Sequence, residues 1–294
     1  MKIGMSTNTF AGEPLENILA LAREFGIHDI EMWASCTDAI GPVAHEYDWR
    51  NRDIEKAARQ LREAGVHVGC VSFAWGLRVE YAQDQKLFTQ EMMHAIEIAH
   101  QLGAETVLHY VRALAPDDSK PDAEKLKLYW QEPLALAEKY GIVLVAENEP
   151  DDYTWTPDNM KALMQVFSSP YFKTNYDATN YYHSGCEPFP YAYDVLKEHI
   201  GYTHIKNGRI YRPEFCPDPD WLCKEIGMTH SLAGNEMYYV EADAGVVNNI
   251  ALLRRFHEDG YCGMCTIEPH TTRQNAINAI RREVTFLKGT GYFG

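Results

Sequence analysis

The stretch Glu138-Lys139-Tyr140-Gly141-Ile142-Val143-Leu144-Val145-Ala146-Glu147 contains the unit from which the chain is built. A helical pattern stops at Gly141, a residue free to adopt the left-handed conformation of a helix C-cap, and an apolar, β-branched run follows at once. The same junction recurs at Phe25-Gly26, Ala64-Gly65, Leu102-Gly103, Ile200-Gly201 and Asp259-Gly260, and the runs after them predict strands over 28–33, 66–72, 106–109, 202–205 and 264–267. The first four junctions stand 39, 38 and 38 residues apart. The next gap, of 60 residues, holds one more unit: Ser168-Ser169-Pro170 stops its helix, and residues 171–177 supply its strand. With residues 2–6 at the N-terminus the strands number eight. Helix starts are legible at Pro14 and at Thr156-Pro157-Asp158, and a last amphipathic helix is expected over about 275–288.

Eight strands alternating with helices in one chain of 294 residues predict an α/β fold, a single-domain (β/α)8 TIM barrel over 1–294. A doubly wound sheet would open with a Gly-rich phosphate loop, and Asn8-Thr9-Phe10-Ala11-Gly12 is not one. The longest irregular piece, about 209–240, follows the seventh strand. It is expected to be an insertion over the mouth of the barrel, with a short helix near Trp221-Leu222-Cys223-Lys224-Glu225.

Composition excludes several classes. A net charge of −15 disfavours a nucleic-acid partner, because affinity for polyanions rests on basic side chains. At 46% apolar and 23% charged the chain reads as a folded globular protein. No apolar run of membrane-spanning length and no signal-like start occur, so a cytoplasmic protein without membrane partners is expected. The seven cysteines are scattered, and Cys262 and Cys265 form a CxxC without the second pair that a zinc ribbon needs, so buried thiols are expected.

In such barrels chemistry sits at the C-terminal ends of the strands, and four late strands end in ionisable residues: Glu147, Asp177, His204 and Glu268, spaced 30, 27 and 64 apart. Three carboxylates meeting at one mouth would repel one another unless a cation stood between them. The set therefore asks for one divalent metal ion. Oxygen donors with one imidazole and no thiolate favour Mn²⁺ first, then Co²⁺ or Mg²⁺, with Zn²⁺ left open.

The pattern resembles the xylose-isomerase-like barrel superfamily of sugar-phosphate isomerases and epimerases over essentially the whole chain. The residues that carry it are Ala146-Glu147-Asn148, Asp177-Ala178-Thr179-Asn180, His204-Ile205-Lys206-Asn207 and Ile267-Glu268. The resemblance implies that Glu147, Asp177, His204 and Glu268 bind one divalent ion and that Glu147 and Glu268 also act as acid and base. The tetrapeptide ends in Asn207 where the family usually has Asp. Asn180 stands where the related abasic-site endonucleases carry a histidine for their zinc cluster.

A metal that polarises a sugar carbonyl and holds a cis-enediolate leaves the two glutamates to move the proton. Strands five and eight lie roughly 135° apart in a ring of eight, so the two carboxylates are expected to approach from different sides, which suits epimerisation. Return of the proton to the adjacent carbon would interconvert aldose and ketose. Loss of a β-hydroxyl would make the protein a lyase or dehydratase of a keto-inositol or 3-keto sugar, and a non-catalytic barrel binding a sugar or a partner protein is the reading of another class.

Further candidates for substrate contact are His109, Asn180, Lys206, Arg209, Trp33 and Trp75, each with a structural alternative: a backbone-bonded histidine, loop-ordering polar groups, a solvated lysine, or core aromatics. His183 and His270 could orient ligands or lie at the surface. No phosphate-cradling loop is visible, so the expected partner is a free sugar or keto-polyol as readily as a sugar phosphate. A homo-oligomer is left open.

Overall fold

The computed structural model describes residues 1–73, 82–214, 228–231 and 233–293. Among them eight parallel strands close into a barrel: β1 Lys2–Ser6, β2 Asp29–Trp33, β3 His67–Phe73, β4 Thr106–His109, β5 Val143–Glu147, β6 Phe172–Asp177, β7 Ile200–Ile205 and β11 Met264–Ile267. Around the ring they run β1-β11-β7-β6-β5-β4-β3-β2. This is a single-domain (β/α)8 TIM barrel with helices outside it.

Five of the six predicted Gly junctions close helices in the same way. Gly26, Gly65, Gly103, Gly141 and Gly260 all take positive φ, between 65° and 81°. The next residue's N–H reaches back five positions: Ile27 to the Ala22 carbonyl at 2.8 Å, Val66 to Leu61 at 3.1 Å, Ala104 to Ala99 at 2.8 Å, Ile142 to Ala137 at 2.9 Å and Tyr261 to Phe256 at 2.8 Å. This is the Schellman arrangement, and its apolar residue after the glycine leads the chain inward to the next strand. Each helix then buries one stripe. In Leu15–Phe25 the stripe is Ile18, Leu19, Ala22 and Phe25, and each large side chain contributes roughly 1.5–3 kcal/mol by leaving water.

The sixth junction differs. Gly201 lies inside β7, where a Cβ would stand 2.7 Å from that of Lys173, so close strand approach, not a helix end, requires glycine there. The segment before it is not one amphipathic helix but short pieces, Ala178–His183, Pro188–Ala192, Tyr193–Leu196 and Lys197–His199. Ser168, with φ 45°, provides the left-handed stop of the preceding unit.

Cys70, Leu108, Val145, Tyr202 and Met264, from five different strands, form a small cluster of their own inside the barrel, while alternate strand residues face the helices. Cys265 is buried and Cys262 exposed, and both are free thiols.

The piece expected to be irregular from 209 onward is partly a sheet. β8 Asn207–Ile210, β9 Met228–His230 and β10 Glu236–Val240 form a separate antiparallel sheet in the order β8-β10-β9. It starts at Asn207, and β10 alternates in burial, with Met237 and Tyr239 inward, as a strand covered on one face should. The short helix expected near Trp221 lies outside the described residues.

Candidate metal centre

The last residues of β5 and β6, the penultimate residue of β7 and the residue after β11 point to one place. Glu147, Asp177, His204 and Glu268 are all buried, and each offers a ligand atom within 4.8 Å of the others. His204 Nδ1 lies 3.0 Å from Glu147 Oε1, 3.3 Å from Glu268 Oε2 and 3.9 Å from Asp177 Oδ2. The convergence has local causes. Asn148 side-chain oxygen accepts the Asp177 N–H at 2.9 Å, and its amide donates to the Asp177 carbonyl at 2.9 Å, tying the ends of β5 and β6 together. Asp177 Oδ1 caps the helix Ala178–His183 by accepting the Asn180 N–H at 2.9 Å, which leaves Oδ2 for the cluster.

Lys206 shares strand parity with Tyr202 and His204, and its Nζ reaches Asp177 Oδ2 at 2.9 Å and Glu268 Oε2 at 2.8 Å. His270 Nε2 stands 3.1 Å from the same Glu268 oxygen. Tyr239 of β10 stacks on His270, ring centres 4.4 Å apart, and lies 5.6 Å from the Lys206 ammonium.

A group absent from the sequence reading organises His204. Glu31, in the middle of the short run that becomes β2, is fully buried. Its Oε2 lies 2.6 Å from His204 Nε2 and accepts from the Tyr202 hydroxyl at 3.0 Å; its Oε1 accepts from Trp33 Nε1 at 2.5 Å, Ser72 Oγ at 2.8 Å and Ser6 Oγ at 3.3 Å. An isolated buried carboxylate is costly, so this many partners are what let it stay. With Nε2 turned to Glu31, His204 aims Nδ1 at Glu147 and Glu268, the carboxylate–histidine arrangement common behind metal ligands.

Two more ionisable groups belong to this neighbourhood. Burial, and then Glu147, Glu149 and Glu268, push the Tyr110 phenol well above its ordinary pKa; burial and Glu147 do the same for the Glu149 carboxyl. Burial also raises Glu147 to about 7 against the pull of His204. For Glu268 burial is outweighed by His204, Lys206 and His270, which hold it well below the carboxylate range. Burial opposes charge on His204 and Lys206, but the surrounding carboxylates win, and both stay protonated.

The donor set fits a divalent ion. Three carboxylates and one imidazole nitrogen face one another, and only positive charge between them makes that arrangement stable. Here the proton on His204 and the Lys206 ammonium provide it, and an ion would take the place of the imidazole proton.

The other expected contacts fall elsewhere. His109 faces away from the barrel interior, its ring 5.7 Å from Trp130 and 5.4 Å from Phe172, because Leu108 takes the inward place on β4 and parity sends the next residue out. Burial lowers its pKa to about 4, so it is a neutral core histidine. Asn180 donates through Nδ2 to the Asn148 carbonyl at 2.8 Å, and exposed Arg209 donates to the Ala244 carbonyl at 2.6 Å, so both order loops. Trp33 is buried against Tyr47 with its N–H given to Glu31, and His183 Nε2 meets the Asn235 carbonyl oxygen at 3.2 Å, away from the four ligand candidates. Trp75 lies outside the described residues. Glu31, Tyr110 and Glu149 had one legible signal, the alternation that puts every second residue of a barrel strand inside.

No helix among the described residues is long and apolar enough to cross a membrane. No curated protein matches this chain in sequence. Solved structures of similar fold include the probable 3-DHS dehydratase AsbF from Bacillus anthracis, with 17% identity, a TM-score of 0.71 and coverage of 98% of this chain and 99% of that one. A xylose isomerase-like TIM barrel protein from Mycobacterium smegmatis in complex with magnesium has 19% identity, a TM-score of 0.72 and coverage of 100% and 98%. An L-ribulose 3-epimerase has 14% identity, a TM-score of 0.70 and coverage of 99% and 94%. The model of one family, described as the xylose isomerase-like TIM barrel, matches residues 19–290, and together with the closed eight-stranded barrel this shows that the chain belongs to the xylose isomerase-like TIM barrel family.

Proposed function

We propose that this protein is a divalent-metal-dependent isomerase or epimerase of a keto or aldo sugar, with Glu147 and Glu268 exchanging a proton with the carbon beside the carbonyl. The observation that carries this reading is the meeting of Glu147, Asp177, His204 and Glu268 within 4.8 Å. An ion held by these four, Mn²⁺ first with Co²⁺, Mg²⁺ and Zn²⁺ as the other candidates, would supply a Lewis acid for the substrate carbonyl.

The chain's own groups do the rest. β5 and β11 flank β6 and β7 in the ring, so Glu147 and Glu268 address a substrate from two sides. One carboxylate takes the proton from carbon; the C–H pair becomes the C=C bond of an enolate, and the carbonyl oxygen takes the negative charge. The other glutamate, in its acid form, returns a proton to the opposite face and inverts the centre. Lys206, poised on Asp177 and Glu268, helps hold Glu268 in its charged form and offers an N–H to the oxyanion. Tyr239, reaching Lys206 and His270 from the β8-β10-β9 sheet, supports the reading of that insertion as a wall of the site.

His270 beside Glu268 supports a second reading, in which this pair protonates a departing β-hydroxyl and the outcome is dehydration. Incubation with Mn²⁺ and a panel of ketoses and keto-polyols in D₂O, followed by mass spectrometry, tests both. A gain of one mass unit at the carbon next to the carbonyl is expected; an unsaturated product lacking water moves the assignment to a lyase. Sugar binding with no exchange, unchanged when the metal is stripped, overturns the catalytic reading in favour of a binding barrel.

A further inference from the structure

Behind Lys206 and His270 lies a cavity of about 270 Å³ between β10, the Pro269–Thr271 turn and the helix Arg273–Gly289. It shares those two residues with the metal centre but contains none of the four ligand candidates. Its size falls at the lower edge of the range that small ligands use, about 300–1,000 Å³, which is room for one sugar ring. Asn275, Asn278, Ala279, Arg282 and Glu283 line one side, the face that positions three, four, seven and eight apart share on a helix.

Glu283 is the feature without a structural explanation. It is 1% exposed; Oε1 accepts the Ala242 N–H at 3.1 Å, and Oε2, equally buried, has no hydrogen-bond partner among the described residues. A buried polar atom left unpaired costs about 1–3 kcal/mol, so a fold that keeps one has a use for it or a guest to satisfy it. Burial, then Glu241 and Asp243, raise the Glu283 carboxyl to about 8, so at neutral pH it is an uncharged acid able to donate and accept. Arg282 already pairs with Glu241 at 3.3 Å and Asp243 at 3.1 Å, and Lys206 with Asp177 and Glu268. The lining therefore offers hydroxyl-sized hydrogen-bonding groups with their charges cancelled, beside the flat Tyr239–His270 stack on which the C–H face of a ring can rest. Among the described residues of the lining, each cationic side chain already has a carboxylate partner.

We infer that this cavity takes a neutral, hydroxyl-bearing ring attached to the reacting sugar, so that the substrate is a keto sugar carrying a second sugar unit and not a simple monosaccharide. The inference rests on the reading of the metal centre as the place where the reacting ketose sits.

The test uses Mn²⁺-loaded protein and four free ketoses bearing a pendant hexose, namely isomaltulose, turanose, leucrose and lactulose, with D-fructose as the unextended reference. Affinities come from calorimetric titration. At least one extended ketose is expected to bind about tenfold or more tightly than D-fructose, the scale of one well-made hydrogen-bonding set. Glu283→Leu, which keeps the volume and removes the polar oxygens, and Ala279→Phe, which fills the cavity from another position, should each bring that ratio back to about one, while Glu283→Gln should retain most of it. If all four bind no more tightly than D-fructose, or if the preference survives both Glu283→Leu and Ala279→Phe, the inference is wrong. Deuterium exchange in the same samples reports on the reaction separately. Selective binding without exchange in any sugar would remove the proposed reaction and leave the cavity's role standing; exchange in D-fructose with no preference would do the reverse.

Discussion

The two halves of the barrel put their buried polar residues to different uses. At the C-terminal ends of β5, β6, β7 and β11 stand Glu147, Asp177, His204 and Glu268, which face one another. β1, β2 and β3 contribute Ser6, Glu31 and Ser72, which face each other and the rear of His204. One half presents the four ligand candidates and the other fixes the direction in which the imidazole points. A site of this kind is spread over the whole ring although its reactive groups sit on half of it.

The strongest way to break that contrast is within the late half. Glu268→Gln keeps shape and removes the ionisable oxygen; turnover should fall by about 10²–10⁴-fold, with sugar binding by calorimetry retained. Equal losses of binding and turnover would show that Glu268 only holds substrate. In the early half, Glu31→Gln should weaken Mn²⁺ affinity by about 10–100-fold in a metal titration, since it touches the ligand and not the ion. An unchanged affinity would reduce Glu31 to a packing group.

β4 sharpens the comparison, because neighbouring residues fall on opposite sides of its wall. Tyr110→Phe should lower kcat by about tenfold through loss of one hydroxyl near the carboxylates, whereas His109→Gln should leave kcat within about twofold and lower thermal stability instead. The reverse result would mean that the parity of β4 has been misassigned.

A smaller, pH-dependent effect is expected at Glu283, outside both halves. Its folded pKa of about 8 lies above the ordinary value of 4.5, so the fold prefers the protonated form. Its contribution is complete at low pH and is lost as pH rises from about 4.5 through about 8. Glu283→Gln, which stays neutral, should therefore match wild type below about pH 4 and exceed it by roughly 1 kcal/mol or more in urea unfolding above pH 8.

Much of this architecture is legible in the sequence because Schellman ends announce themselves: glycine followed by an apolar residue marks five helix ends, and the strands follow within a few residues. Gly201 has the same local appearance for another reason, the approach of Lys173 on the next strand, a contact that no window of sequence displays. The four ligand candidates were readable because they stand at or within one residue of the C-terminal ends of their strands. Glu31 was not, since a glutamate inside a β2 run looks like any strand charge until Tyr202, Ser6 and Ser72 are seen around it. His109 closes β4 and by that position resembles a site residue, whereas alternation from the inward Leu108 sends it to the helix side. The Glu283 cavity depends on a helix and a strand far apart in sequence, Arg273–Gly289 and Glu236–Val240, coming face to face, which periodicity alone does not reveal.

Asn207 gives the start of β8 one more property. Its amide donates to the Ala242 carbonyl at 3.0 Å and to the Val247 carbonyl at 2.9 Å, and its oxygen accepts the N–H groups of Gly208 and Val247, both at 3.0 Å. An aspartate could not donate to those two carbonyls and would meet them with like charge. A Cβ on Gly245 would run into the same side chain at 2.0 Å, so the two positions are matched partners. Grafting the acidic version of the tetrapeptide onto this chain would therefore demand a rerouted 242–247 connection along with it, and the choice between amide and acid at one position is heritable only as a package.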